Sequence, residues 1–240
     1  MVDKKRCIFN WSGGKDSTLA LHYALQDPSI EIVYLVTTVT EKYNRVSMHG
    51  VRESLLIKQA KSIGIDLYQI RLPEMPNMET YDEIMRQHLS KFKAEGITHS
   101  IFGDIFLQDL RTYREDRLKE VGLKAIFPLW NKDTSSLISE FLNLHYKTII
   151  VCVQENLKTI CGKVIDAKLI SELPLGVDPC GENGEFHTFA FSGPIFKTEI
   201  PFKLGETVFR TYAAPSKDDS NEASETRYNA ANGFWYIDLY

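Results

Sequence analysis

The sequence predicts an α/β fold: a mostly parallel sheet covered by helices, followed by a smaller α+β C-terminal portion. Three observations carry this expectation. Apolar, β-branched runs alternate with amphipathic stretches of helical period through the first two thirds of the chain. Glycines stand where several of those helical stretches stop. Beyond about residue 154 the rhythm breaks into short segments punctuated by Pro174, Gly176, Pro179, Gly181, Gly184, Gly193 and Pro194. The chain divides on this reading into residues 1–153 and 154–240.

Taken in order, residues 7–11 read as the first strand, 16–26 as the first helix and 31–37 as a second strand rich in β-branched residues. Residues 52–63 bring Leu55, Leu56, Gln59, Ala60 and Ile63 to one side of a helix, with Gly64 at the C-cap. A strand at 67–70 follows. Pro73 and Pro76 break the chain before a helix at 79–95, which Gly96 ends ahead of a strand at 99–102. Residues 107–120 form a strongly charged helix, 133–144 another with Asp133 as N-cap, and 147–153 a buried strand. In the C-terminal portion, 185–191 alternates too irregularly to define a strand. The polar stretch 213–227 has little to bury and reads as a mobile loop between 206–210 and an aromatic end, 234–240, that docks.

Bulk properties narrow the classes. A chain of 240 residues with 43% hydrophobic and 25% charged residues suits one large core with or without a small appendage. The net charge of −4 and pI of about 5.9 argue against a generally basic surface, so nucleic acid is not an expected partner. No apolar run has membrane-spanning length, and Met1 to Arg6 enters the first strand without an apolar signal core. The expectation is a cytoplasmic protein with no membrane partner; a homo-oligomer stays open. Cys7, Cys152, Cys161 and Cys180 are scattered without a C-x-x-C pair, which indicates reduced thiols rather than a zinc knuckle or disulfide framework.

The chemistry concentrates in two places. Ser12-Gly13-Gly14-Lys15-Asp16-Ser17 lies between the first strand and first helix. A glycine pair there lets successive N–H groups face a phosphate, and the helix adds its positive end. Ser12 and Ser17 can donate hydroxyls, Lys15 brings a charge, and Asp16 can cap the helix or help hold Mg²⁺. The spacing is not that of a Walker A loop. The bland alternative is a tight turn capped by Asp16. The second cluster, Asp178 to Thr188, is dense in ionisable groups. If 185–189 is extended, Glu185 and His187 share a face, with Glu182 on the adjoining glycine turn. One carboxylate could then orient an ammonium and take its proton, and His187 could shuttle it; solvated acids on a Gly-Asn turn are the alternative. Cys180 reads as structural.

Ligands in open α/β sheets gather at strand carboxyl ends, which adds two regions. Gly103-Asp104 follows one strand, and the next helix spaces Arg111, Arg114 and Arg117 along one face for anion binding, or as a solvated face neutralised by Asp109, Glu115 and Asp116. The loop with Arg45, Ser47, Met48 and His49 could wrap a nucleotide base or sugar.

The first motif resembles the signature of PP-loop ATP pyrophosphatases. Together with Ser47-Met48-His49-Gly50, Gly103-Asp104-Ile105, Pro128-Leu129-Trp130, Gly181-Glu182-Asn183-Gly184-Glu185 and Gly193-Pro194-Ile195-Phe196, it makes most of the chain resemble the diphthine-ammonia ligase family, also called the ATP-binding-4 group. The resemblance implies a Rossmann-like ATP domain of the adenine nucleotide α-hydrolase type and a smaller C-terminal substrate domain. It implies ATP and Mg²⁺ as cofactors, a carboxylate activated as an acyl-adenylate, and ammonia as the attacking partner. On it, Lys15, Asp16, Glu182, Glu185 and His187 are catalytic, with Asp16 tentatively on the metal. Ser12, Gly13, Gly14, Lys15, Asp16, Ser17, Met48, His49, Gly103 and Asp104 bind the nucleotide, and Arg111, Arg114 and Asn183 bind the carboxylate-bearing substrate, a small molecule or modified protein side chain.

Two departures bear on that substrate. Eukaryotic and archaeal members resemble one another in a Tyr-Gln-Arg stretch where this chain has Asp109-Leu110-Arg111, and in Gly-Glu-Gly-Gly-Glu followed by Tyr or Phe and Glu, where it has Asn183 and His187. The Glu-Asn-Gly-Glu-Phe-His form resembles a bacterial branch without diphthine, for which a role in cobalamin salvage has been proposed, so amidation of another carboxylate is an alternative. A tRNA-thiolating PP-loop enzyme is a second alternative, disfavoured by the absence of paired cysteines or a basic appendage, and a non-catalytic nucleotide-binding protein is a third.

Overall fold

The computed structural model describes residues 4–46, 50–211 and 233–240. Ser47, Met48, His49 and the stretch 213–227 lie outside the described residues. The chain runs β1 (Lys5–Asn10), α1 (Lys15–Gln26), β2 (Ile30–Thr40), β3 (Arg45–Val46), α2 (Glu53–Ile63), β4 (Leu67–Leu72), α3 (Met78–Ala94), β5 (His99–Ile101), α4 (Gln108–Glu120), β6 (Lys124–Ile126) and α5 (Thr134–Asn143). It continues through β7 (Lys147–Gln154), a 3-10 turn (Glu155–Ile160), α6 (Ala167–Ser171), β8 (Phe186–Ser192), β9 (Leu204–Thr211) and β10 (Gly233–Leu239).

The first sheet is parallel in the order β4-β2-β1-β5-β6, with β3 antiparallel on the far end of β2 through Val39–Val46. Strand order reverses at β1. The chain builds outward through β2 and β4, then returns to lay β5 on the other side, so the loops leaving β1 and β5 diverge and open a crevice at the carboxyl ends. Both faces are covered, as a parallel sheet requires. Cys7 and Phe9 of β1 pack into a large core with α1, α2 and the second sheet, while Ile8 joins Val36, Ile70 and Leu72 beneath Leu89 and Phe92 of α3 and Leu118 of α4.

The second sheet is antiparallel, in the order β8-β7-β10-β9. Residues 147–153, read from the sequence as the last strand of the first unit, belong here: β7 pairs with β8 on one side and β10 on the other. An unbroken buried run looks the same in a parallel sheet and in a strand covered on both faces. The same cause hid β8, whose residues are almost all buried, so no alternation marks it. The short β6 also escaped the sequence pattern. The aromatic end does dock, as β10. Asp133 caps α5, accepting the Ser136 N–H at 2.7 Å.

Candidate active site

The loop Ser12 to Ser17 joins β1 to α1. The helix begins at Lys15 with Gly14 as an extended N-cap and no side-chain cap, so Asp16 sits in the first turn rather than capping it. Gly13 has φ +79°, and a Cβ there would stand 2.7 Å from Gln59 Oε1, so the tight turn demands glycine. Ser12 Oγ accepts the Gly14 N–H at 3.3 Å and donates to Ser17 Oγ at 3.1 Å, while Ser17 Oγ also donates to the Gly14 carbonyl at 3.0 Å. Across the crevice, Gly103 approaches so closely that a Cβ would lie 3.1 Å from Ser17 N and 3.2 Å from the Asp16 carbonyl carbon. The two loops therefore close to backbone contact at the start of α1, where the helix presents its positive end.

Lys15 departs from the simplest phosphate-clamp picture. Its side chain is 3% exposed, and Nζ donates to Asp16 Oδ1 at 2.8 Å, to Oδ2 at 2.7 Å and to the Cys180 carbonyl. Burial lowers the pKa of this ammonium, but the adjoining Asp16 carboxylate outweighs it and holds the group above its ordinary value. The backbone N–H of Lys15 donates to Thr188 Oγ1 at 3.0 Å. Lys15 thus joins the loop to the C-terminal portion.

The second cluster is a loop folded on Asp178. Asp178 Oδ1 accepts the N–H groups of Cys180 at 2.8 Å and Glu182 at 3.2 Å, and Oδ2 accepts from the Thr134 hydroxyl at 2.7 Å. This turn aims Glu182 at the crevice, where Oε1 accepts the Ile105 N–H at 2.9 Å. Burial, then the charge of Asp16, push the Glu182 carboxyl up to about 7. Glu185 is placed otherwise than strand alternation predicted. β8 starts at Phe186, so Glu185 still belongs to the turn; it is 7% exposed and does not line the crevice. Its Oε1 accepts the Asp178 N–H at 3.0 Å and the Asn183 side-chain amide at 3.2 Å. Asn183 is held there too, beyond the crevice wall. His187, within β8, lines it. Burial pushes the Cys180 thiol up to about 12, and Sγ donates to the Thr134 carbonyl at 3.4 Å, which keeps it protonated.

The crevice holds about 600 Å³. Ser12, Gly14, Lys15, Asp16 and Ser17 line one wall, Gly103 and Asp104 the next, and Glu182 and His187 a third. Of the arginines, Arg114 and Arg117 line it; Arg114 has Nε 2.8 Å from Asp104 Oδ2 and its guanidinium 4.5 Å from the Phe102 ring centre. Arg111 lies outside the lining, over Trp130 at 4.6 Å and Phe127 at 5.0 Å, and pairs with Glu115 at 2.8 Å. The sequence reading missed the apolar arm running under α3 and α4, walled by Val36, Leu72, Met85, Leu89, Phe102 and Leu110, and the role of Thr188. Thr188 carried no signal. Among the described residues no group of three or more His, Cys, Asp or Glu side chains is placed to hold a metal ion, so a cation here would need oxygens from the ligand itself. No helix among the described residues is long and apolar enough to cross a membrane.

Comparison with known proteins agrees with this arrangement. The family model described as the diphthamide synthase N-terminal domain matches residues 5–125, and the diphthamide synthase C-terminal domain matches residues 133–215. Diphthine–ammonia ligase of Rattus norvegicus is 26% identical over 145 residues, covering 58% of this chain and 53% of that protein. The Homo sapiens protein of the same name is 27% identical over 145 residues, with the same coverage of both chains. The chain spans about half the length of these curated relatives. A partial likeness to the U34-tRNA thiolase NcsA from Methanococcus maripaludis has a TM-score of 0.38 at 20% identity, covering 60% of this chain and 58% of that one, too slight to carry any inference. With one family model matching on each side of residues 126–132 and the matched segments meeting in one crevice, the chain belongs to the diphthamide synthase family.

Proposed function

We propose that this chain is an ATP-dependent amide-forming ligase of the PP-loop class, which activates a substrate carboxylate as an acyl-adenylate and hands it to ammonia. One observation carries the reading: the glycine-rich start of α1, the Gly103 loop and the raised carboxyl of Glu182 open on a single crevice. The residues fit ATP, because the backbone contact at Gly103 and the left-handed turn at Gly13 form a cradle that suits phosphate and has no room for side chains. Bound there, ATP supplies the adenylyl group and Mg²⁺ neutralises the departing pyrophosphate.

The chain's own residues would then divide the work. Ser12, Gly14 and Ser17 hold phosphate oxygens, and Asp16 offers a carboxylate toward the cation. Lys15 sets the loop through Asp16 and the Cys180 carbonyl and adds positive charge to the site. Ammonium gives a proton to Glu182, whose pKa near 7 suits that exchange at neutral pH; ammonia then forms the C–N bond as the acyl–oxygen bond to AMP breaks. The proton shed by the new amide passes to His187 or solvent. Glu185 acts by holding the Asp178–Asn183 turn that presents Glu182. His187, a departure from the diphthine-type motif that lines the crevice, is the position at which acceptor choice is made, with Asn183 acting from behind through the Glu185 turn, and a carboxylate other than diphthine is the acceptor we favour testing.

The test is pyrophosphate release from ATP that depends on both ammonium and a carboxylic acid, measured across diphthine-bearing protein and small carboxylates. Lys15→Ala and Asp16→Ala should abolish it; wild-type release from either variant would remove the loop from the reading. Release stimulated by tRNA and not by ammonium would favour thiolation instead, and tight ATP binding without turnover would favour a nucleotide sensor.

A further inference from the structure

Gln59 stands on the apolar side of α2 among Leu55, Leu56, Ala60 and Ile63, and its exposure is 0%. A buried primary amide with two donor hydrogens and a carbonyl has to find partners for each. This one does. Trp11 Nε1–H donates to its Oε1 at 2.9 Å, and its Nε2 donates to the Gly13 carbonyl at 3.0 Å and to the Ala190 carbonyl at 2.6 Å. An indole N–H can only donate and the two carbonyls can only accept, so the amide has one satisfactory orientation. Beside it, the Ala190 N–H donates to the same Gly13 carbonyl at 2.8 Å. The glycine turn of the Ser12–Ser17 loop is thereby joined to β8 twice at one point. Further along, Thr188 Oγ1 takes the Lys15 N–H. Gly13 also fits Gln59 by shape, since any Cβ would collide with Oε1.

We propose that Gln59 is a positioning residue that joins the nucleotide loop to β8, so that the loop keeps its phosphate-binding shape only while the C-terminal portion is docked. The proposal rests on the reading of Ser12–Ser17 as a nucleotide loop. Gln59 does not line the crevice itself and acts through Gly13 and Trp11. Trp11 does line the crevice, which makes its indole a reporter of the joint.

The experiment uses the full chain with Trp130→Phe and Trp235→Phe, leaving Trp11 as the single tryptophan, and compares it with the same protein carrying Gln59→Met. Binding of ATP is followed by Trp11 emission, and amide hydrogen exchange is followed in peptides covering 11–17 and 188–192 without nucleotide. Expected is a loss of ATP affinity of about tenfold, and exchange that rises in both segments together. A folded Gln59→Met protein that binds ATP within about twofold of its parent, with unchanged exchange in both peptides, overturns the proposal. Should that variant fail to fold, Gln59→Asn decides: it keeps a buried amide but is one methylene too short to reach Trp11 and both carbonyls at once, and unaltered ATP affinity and loop exchange there overturn the proposal equally. A parent protein that binds no ATP refutes the nucleotide reading instead, while the ligand-free exchange still scores the joint.

Discussion

Replacing Glu182 by Gln should make the protein more stable, and increasingly so as pH rises. The carboxyl titrates near 4.5 in an unfolded chain and at about 7 in the folded one, because it is buried and faces Asp16 and Asp104. Below pH 4.5 both states carry the proton. Between 4.5 and 7 the folded state keeps a proton that the unfolded state has shed, so stability falls as pH rises; above 7 both are ionised and the loss is complete. A displacement of that size corresponds to about 3 kcal/mol as an upper bound. Glutamine imitates the protonated form at every pH, and its Oε1 can still accept the Ile105 N–H. Urea unfolding at a series of pH values from 5 to 8, without nucleotide, should show wild type and Glu182→Gln nearly matched at the acid end and the variant ahead by about 2–3 kcal/mol at the alkaline end. A gap that is constant with pH, or one that widens toward acid, would refute the burial argument and with it the proton-exchanging role of Glu182.

Gly103→Ala should weaken ATP binding by about tenfold in calorimetric titration, because its Cβ would press on the Ser17 N and Asp16 backbone, which cannot yield without moving the start of α1. Arg114→Met should lower turnover through loss of the Asp104 pairing in the crevice, whereas Arg111→Met should leave turnover within about twofold and lower stability by about 0.5–1 kcal/mol through lost stacking on Trp130 and Phe127. Equal effects of the two on turnover would count against the crevice as drawn. Gly193→Ala, with φ +140° and a Cβ that would fall 2.0 Å from Tyr146 Cδ1, should destabilise by about 3 kcal/mol in thermal unfolding without altering the affinity for ATP of the folded fraction.

The first sheet was largely legible because α1, α2 and α3 carry apolar stripes and several helical stretches end on a glycine, and because the phosphate-type loop fixes which strand comes first. The second sheet was legible only in part. β7 and β8 are buried on both faces, and burial on both faces erases the alternation that marks a half-buried strand. The site shows the same split. Ser12 to Ser17, Gly103-Asp104, Glu182 and His187 were found because glycine turns and clustered ionisable groups are unusual in any sequence, and they do converge on one crevice. Glu185 stands one residue before β8, in the turn, where strand alternation does not set a side chain's direction. Arg111 and Arg114 are indistinguishable on a helical wheel, and only the positions of Trp130 and Asp104 separate them. Gln59 left a trace in the sequence, a polar amide on an otherwise apolar helical stripe, whose meaning depends on two carbonyls far away along the chain.

The bonds between the Ser12–Ser17 loop and β8 span great lengths of chain: Lys15 reaches Thr188 across 173 positions and Cys180 across 165. Contacts of such high order close large loops, and the entropy of that closure must be met before the contacts return any stability. The loop precedes β8 by most of the chain's length, so during synthesis it waits for the C-terminal portion before its partners exist. The Ser12–Ser17 loop therefore reaches its final form late, once β8 is there to hold it. A chain cut before β8 would carry the same Ser12–Ser17 sequence without the bonds from Thr188 and Ala190 that fix its shape.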